Sequence, residues 1–179
     1  MTAFVRSPHK ITRRDSKLKI VQGDPHSAEQ LAKQLPGHDV VLSAVGVRPP
    51  QAFRPHSLVE ECVASTVTAM ANTGVNRIIL VSAAVLFPEK GLLFAFFRRL
   101  LKHVARDLKA AEEIVRGTSL EWTIARPPRL TSASDAGYRA VRDALPDKGF
   151  SMSFRGVAAF MLDAVEQDTY RRQIVGLAS

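Results

Sequence analysis

Cysteine is almost absent from this chain. Cys62 is the only one in 179 residues, which excludes an intramolecular disulfide, and no Cys/His grouping has the spacing of a structural zinc site. A reducing, cytoplasmic setting is the expectation. Long apolar runs are absent too. The longest, Gly-Leu-Leu-Phe-Ala-Phe-Phe at 91–97, falls well short of the ~20 residues that span a bilayer, and the first residues hold no signal-peptide core. No membrane partner is expected. Aromatic residues make up only 7% of the chain, and none forms a stacking platform interleaved with basic side chains. Nucleic acid is therefore disfavoured as a partner, although 25 Lys+Arg against 17 Asp+Glu give a net charge of +8. The basic residues gather in two clusters, Lys10, Arg13, Arg14, Lys17 and Lys19, and Arg98, Arg99, Lys102, His103 and Arg106. These suit a solvated basic surface, or a pocket for a phosphate-bearing ligand.

What remains is a balanced globular composition, 46% hydrophobic and 23% charged, without repeats or low-complexity tracts. It fits one domain over 1–179. Short runs rich in Val, Ile and Leu recur at 18–21, 40–45, 78–81, 122–125 and 174–175, each suited to a strand buried on both faces. Helical patterns lie between them. Ser27-x-x-Gln30 and Ser57-x-x-Glu60 read as capping boxes. After the second, Val59, Val63, Val67 and Met70 form one apolar stripe that Gly74 terminates. Two more helices are expected over 108–116, ending at Gly117, and over 157–165. Alternation of this kind predicts an α/β fold with a parallel sheet covered on both faces.

In such sheets ligands gather at the carboxyl ends of the strands. Here those ends are Arg6-Ser7, Gly23-Asp24-Pro25, Ala44-Val45-Gly46-Val47-Arg48, Ser82-Ala83-Ala84 and Arg126-Pro127-Pro128-Arg129. Small, polar and proline residues predominate, as in a ligand wall.

Phe4-Val5-Arg6-Ser7, Gly23-Asp24, the segment from His38 to Gly46, the segment from Gly74 to Ser82 and the segment from Leu120 to Pro128 occur in an order and spacing that resembles the atypical short-chain dehydrogenase/reductases. Within these the chain is most similar to the NAD(P)-binding, NmrA-like group that includes flavin reductase and biliverdin reductase B. The resemblance runs from Met1 to about Gly176. It implies a Rossmann-like doubly wound sheet and a dinucleotide cofactor, with NADP(H) favoured over NAD(H) because Arg6 would face the 2′-phosphate, assisted by Ser7, His9 and Lys10. Asp24 and Pro25 would meet the adenine, while Ala44, Val45, Gly46 and Arg48 would pass beside the cofactor. Pro127 and Pro128 would line the nicotinamide side. Ser82 would be the catalytic hydroxyl beside the nicotinamide, and Arg129 and Tyr138 would face the substrate.

Departures from the pattern shape the expected activity. The Tyr-x-x-x-Lys pair of typical short-chain dehydrogenases is lacking, since Ala105 precedes Lys109 by four and neither Tyr138 nor Tyr170 has a lysine at that spacing. Where the similar biliverdin-reducing group has a histidine after two prolines, this chain has Arg129, a permanent cation better suited to holding an anionic substrate than to giving up a proton. The expected activity is hydride transfer from NAD(P)H to a flavin, quinone or similar conjugated small-molecule acceptor. A non-catalytic NAD(P)-binding sensor like the NmrA-type regulators, or a remnant that binds no dinucleotide, are the alternatives.

The resemblance also names a gap. Met1-Thr2-Ala3-Phe4-Val5-Arg6 matches the second strand of the fold, so the first strand, its glycine-rich loop and the first helix are lacking, as in an N-terminally truncated domain or one whose start is assigned too late. That strand is central in the 3-2-1-4-5 order. Its absence should part the strand at 1–6 from that at 39–45 and favour self-association through the opened sheet.

Overall fold

The computed structural model describes residues 1–12, 15–47, 50–88 and 99–179. The strands are β1 (Thr2–Val5), β2 (Lys19–Gln22), β3 (Val40–Ser43), β4 (Arg77–Val81), β5 (Glu121–Arg126), β6 (Arg129–Thr131), β7 (Arg139–Arg142), β8 (Ser151–Ser153) and β9 (Gln173–Ala178). The helices are α1 (Ala28–Ala32), α2 (Leu58–Thr73), α3 (Lys102–Arg116) and α4 (Phe154–Glu166). Five strands form the main sheet in the order β3-β4-β5-β9-β7, parallel except for β7. The fold is a parallel-dominated α/β sheet, as the alternation of apolar runs implied.

The two faces of that sheet divide its side chains by the strand period of two. Ile78 and Leu80 of β4, with Trp122 and Ile124 of β5, face Val59, Val63 and Met70 of α2 and Leu108, Ala111 and Val115 of α3. Ile79, Ala125, Val175 and Leu177 point the other way, onto Val157, Phe160, Met161 and Ala164 of α4. Each such aliphatic side chain contributes roughly 1.5–3 kcal/mol by leaving water. Three short strands had no periodic signal: β6 and β8 pair with each other, and β7 runs antiparallel to β9.

β1 and β2 form a separate two-stranded parallel sheet, with Thr2 opposite Lys19 and Val5 opposite Gln22. Among the described residues, β1 has a ladder only with β2, and β3 only with β4. The expected parting of these two strands is thus present. Side chains cross it instead. His38 Nε2 lies 3.0 Å from Thr2 Oγ1, and the Ser65 hydroxyl of α2 donates to the His26 carbonyl at 2.7 Å.

The helix ends correct one detail of the capping pattern. Ser27 caps α1, its hydroxyl accepting from the Gln30 N–H at 3.3 Å. Ser57 makes no such bond; its hydroxyl donates to Glu61. The amides at the start of α2 go to Asp107 of α3, whose carboxylate accepts from Val59 N at 3.0 Å and from Glu60 N at 2.9 Å. An ionised acceptor at a helix N-terminus makes stronger bonds than a hydroxyl. At its other end α2 stops where Gly74 turns left-handed, with φ of 76°.

A second carboxylate of α3 is buried beside β5. Glu112 accepts two bonds from Arg126, at 2.9 and 2.6 Å, and their side chains are 3% and 11% exposed. The guanidinium also lies 4.8 Å from the centroid of Phe87. Removing one partner of such a pair leaves an uncompensated buried charge, at a cost of about 3–5 kcal/mol. Glu112→Gln is expected to lose that much in urea-unfolding free energy, and adding Arg126→Met should recover part of it. Equal stability of the single variant and the parent would refute this account.

Candidate cofactor and reaction site

The carboxyl ends of β1 and β2 lie side by side because their ladder continues one step past the strands, the Gly23 N–H donating to the Val5 carbonyl at 3.1 Å. This close approach needs glycine. A Cβ at Gly23 would sit 2.2 Å from the Phe4 ring. Beyond it opens a cleft of about 410 Å³ lined by Arg6, Gln22, Gly23, Asp24 and His26. Arg6 and Asp24, expected to share an adenosine pocket, are thus brought together. Ser7 precedes a short turn, Pro8–Lys10, that leaves His9 and Lys10 exposed next to the cleft's arginine.

His26, which the sequence pattern did not single out, completes this wall. Its backbone N–H donates to Asp24 Oδ1 at 3.0 Å, and its ring Nδ1 lies 2.9 Å from the same oxygen. The backbone bond first, then the ring bond, with a smaller contribution from Arg6, holds the Asp24 carboxyl below its ordinary range. Pro25 lies within the turn that these bonds close, with Ser27 N donating to Asp24 O at 2.9 Å. A loop acidic residue followed two positions later by a histidine was the available signal, since Asp side chains bond backbone two residues on. His26 Nε2 lies 3.6 Å from both Cys62 Sγ and Glu61 Oε2 of α2.

Cys62 is buried beneath this corner. Burial foremost, then the carboxylates of Asp24, Glu61 and Asp107, pushes its thiol up to about 11. Only the thiolate attacks disulfide reagents, so at pH 8 about one molecule in a thousand is reactive, against roughly a quarter for a free thiol of pKa near 8.5. The folded chain should therefore titrate slowly with a chromogenic disulfide reagent, accelerating at least tenfold in denaturant. Fast reaction of the native protein at pH 8 would contradict the burial and the charge arrangement.

The ends of β3, β4 and β5 make a second ledge. Ala44, Val45 and Gly46 follow β3, and among the described residues no atom beyond Gly46 and its chain neighbours lies within 4 Å of where its Cβ would be. Arg48 lies outside the described residues, as do Arg13, Arg14, Arg98 and all of the 87–97 stretch beyond Pro88. The Ser82 N–H donates to the Ala125 carbonyl at 2.7 Å and the Ala84 N–H to the Pro127 carbonyl at 2.8 Å. These bonds fasten Ser82 to the Pro127-Pro128 corner. Ser82 is 7% exposed, and its Oγ is buried without a hydrogen-bond partner among the described residues. An unpaired buried hydroxyl costs about 1–3 kcal/mol; a ligand oxygen or nitrogen would satisfy it.

The two substrate-side residues are placed differently. Arg129 opens β6 and is exposed. The Tyr138 hydroxyl donates to Asp163 of α4 at 2.6 Å, and its ring packs edge-on against Phe160 with centroids 5.6 Å apart. Burial first, then Asp163, pushes that phenol up to about 12. Tyr138 is engaged with α4, and no described contact brings it to Ser82. The Arg126–Glu112 pair and its contact with Phe87 were also missed by the sequence pattern, because no periodicity joins residues that meet only through the sheet.

Comparison with known proteins identifies the family and the fold. A family model described as NAD(P)H-binding matches residues 1–168. A search of curated proteins finds no match. Among solved structures, a short-chain dehydrogenase/reductase from Veillonella parvula in complex with NADP superposes with a TM-score of 0.77 at 18% identity, covering 99% of this chain and 82% of its own. ChuY, an anaerobillin reductase from Escherichia coli O157:H7, gives 0.72 at 19% identity, with 99% and 83% covered. A Rossmann-fold NAD(P)-binding family protein from Shigella flexneri gives 0.77 at 22% identity, with 99% and 79% covered. At such identities these likenesses show the fold alone, and with the family match they establish that the chain belongs to the NAD(P)H-binding family of Rossmann-fold proteins.

Proposed function

We propose that this chain is an NAD(P)H-dependent reductase that passes a hydride to a flavin, quinone or similar conjugated acceptor, with NADP(H) as the preferred dinucleotide. The observation that carries the cofactor half is the cleft in which Arg6 stands beside Asp24 and His26. A guanidinium is suited to a 2′-phosphate by charge and planar geometry, and a volume of about 410 Å³ lies within the usual range for ligand pockets, ~300–1,000 Å³. His9 and Lys10 add positive charge beside it, and Asp24, held ionised, can accept from an adenine amine or ribose hydroxyl. The family's reductive chemistry, which the bound cofactor would supply, is hydride donation.

The reaction half rests on Ser82, Pro127 and Pro128. The Ser82 hydroxyl, unpartnered and fastened to the proline corner, is suited to donating to a ring nitrogen or carbonyl oxygen that gains charge as the acceptor is reduced. Arg129 would attract the anionic tail or phosphate of a flavin. Positioning is the main contribution expected of this chain to the rate.

Calorimetry should give tighter binding of NADP⁺ than NAD⁺, and Arg6→Ala should remove most of that difference, of order 1.5–3 kcal/mol for a charge-assisted contact. Loss of absorbance at 340 nm with NADPH and FMN or a benzoquinone tests turnover. Binding without turnover would replace the reductase by a dinucleotide-binding sensor, and no binding by either dinucleotide would overturn both readings.

The free ladders of β1 and β3 favour self-association as well. Unpaired strand edges template pairing with other chains, and among the described residues β1 and β3 each pair on one side only. Sedimentation of the 179-residue chain should show concentration-dependent association and a broad melt. A monomer with a cooperative, high-temperature transition would be evidence against it.

A further inference from the structure

His56 has no role in the site described so far, yet its surroundings are built like those of an acid. The imidazole lies in the loop between β3 and α2, 12% exposed, with Nδ1 2.9 Å from Oδ2 of the fully buried Asp107. Asp107 is itself fixed by the Val59 and Glu60 amides, so its carboxylate sets the ring's orientation. A carboxylate accepts only, so Nδ1 carries a proton and Nε2 is left to change state. Nε2 is buried and has no partner among the described residues.

The loop that carries this atom leaves β3 and leads into α2, which places it at the carboxyl end of the parallel sheet. α3 packs against both the Gln51–Phe53 turn that precedes His56 and the Ala84–Leu86 turn that follows Ser82. Val59, Leu108, Ala83 and Leu86 share one apolar cluster. Two buried polar atoms without partners, Ser82 Oγ and His56 Nε2, therefore belong to the segments that α3 holds together. The other charged groups on the surrounding elements are His103 and Arg106 of α3, Glu60 and Glu61 of α2, and Arg54 of the same loop; Asp107 alone is bonded to the ring.

We infer that the His56–Asp107 pair is the proton donor for the reduced acceptor, supplying from Nε2 the proton that the missing Tyr-x-x-x-Lys pair cannot. This rests on the reductase reading above. For a benzoquinone, a hydride with its electron pair leaves reduced nicotinamide and bonds to one carbonyl oxygen. The second oxygen takes a proton as the Nε2–H bond of the imidazolium breaks, and solvent reprotonates the ring. NADPH is oxidised, the quinone becomes hydroquinone, and charge balances. The same atom would accept or donate to a conjugated carbonyl or a phenolate product in the absence of turnover.

The sign of the pH effect follows from the donor being the charged ring. Quinone turnover should fall as pH rises, because only the protonated ring has a proton to give from Nε2. His56→Gln, which can still donate to Asp107, should lower quinone turnover about 10²-fold, a typical general-acid contribution, and flatten that limb. NADP⁺ affinity should be unchanged. Independently of activity, the His56 ring protons should shift in NMR spectra when a nitrophenolate, a product-like oxyanion, is added, and that ligand should bind more tightly at pH 6 than at pH 8 only when His56 is present. Wild-type turnover with an unchanged rate, pH profile and nitrophenolate affinity in His56→Gln would overturn the inference while leaving the reductase reading intact. Dinucleotide binding with no turnover by any acceptor would overturn both.

Discussion

A buried parallel strand needs a hydrogen-bonding neighbour on each side, and in this chain β1 and β3 each have one. Much of the molecule's character follows from that. Backbone amides and carbonyls left unpaired away from water cost as much as lost hydrogen bonds, so the space between the two ladders becomes either a wet cleft or a seat for another strand. It also divides the ligand wall. Arg6 and Asp24 stand on the small sheet, whereas Gly46, Ser82 and Pro127 stand on the large one. In dinucleotide sites of this fold the pyrophosphate is gripped by backbone amides at a helix N-terminus; between β1 and β3 the described α-helix is α1, where the Ser27 hydroxyl already takes the Gln30 amide. In the proposed reductase the grip would come mainly from side chains at the two flanks.

What unifies the larger half is electrostatic. α3 carries two buried carboxylates, Asp107 and Glu112, and each reaches a different neighbour. Asp107 satisfies the first amides of α2 and orients His56, while Glu112 neutralises Arg126 at the end of β5. Arg126 in turn lies against Phe87, next to the segment that carries Ser82. One helix thereby fixes the position of three loops at the carboxyl end of the sheet. An apolar helix could pack on β4 and β5 equally well, but it could not cap α2 or set the tautomer of a histidine. The charges cost desolvation energy and contribute direction.

Apolar periodicity made the main sheet readable. Strands β2 to β5 and β9, and helices α1 to α4, lie where runs and stripes of Val, Ile and Leu fall, because burial on two faces or on one stripe is a local demand on sequence. The short strands β6, β7 and β8 were not legible. β6 and β7 are partly exposed and carry Arg129, Arg139 and Arg142, while β8, with Met152 and Ser153 buried, is only three residues long, too short to show a period, so their pairing is dictated by the strands they meet. The same contrast holds for the site. Arg6, Asp24, Ser82 and Pro127 were legible by their place at strand ends. His26 depended on a turn closing over Asp24, and His56 on a carboxylate 51 positions away in sequence. Ser57 illustrates the competition involved: its local capping pattern was sound, yet Asp107 took the amides because an anion binds a helix N-terminus more strongly than a hydroxyl does.

The lack of the Tyr-x-x-x-Lys pair takes on a different meaning in this setting. On a helix those two residues would occupy successive turns of one face, at positions 105 and 109. Asp107 lies between them in sequence, turned by about 200° from position 105 at 100° per residue, so it faces α2 rather than the ligand. A carboxylate so placed cannot act on a substrate, but it can act through a side chain that does. In the proposed reductase His56 would be that side chain. Proton donation and cofactor anchoring, joined on one helix face in the typical enzymes, would there be separated: the proton would reach the acceptor from the β3–α2 loop, under the control of a buried residue of α3. The dinucleotide would be left to the cleft at Arg6 and to the floor beside Gly46. Such a division suits an acceptor that is already electron-poor, because it asks the protein for orientation and one proton, and does not require a group that must bind the ribose and donate at once.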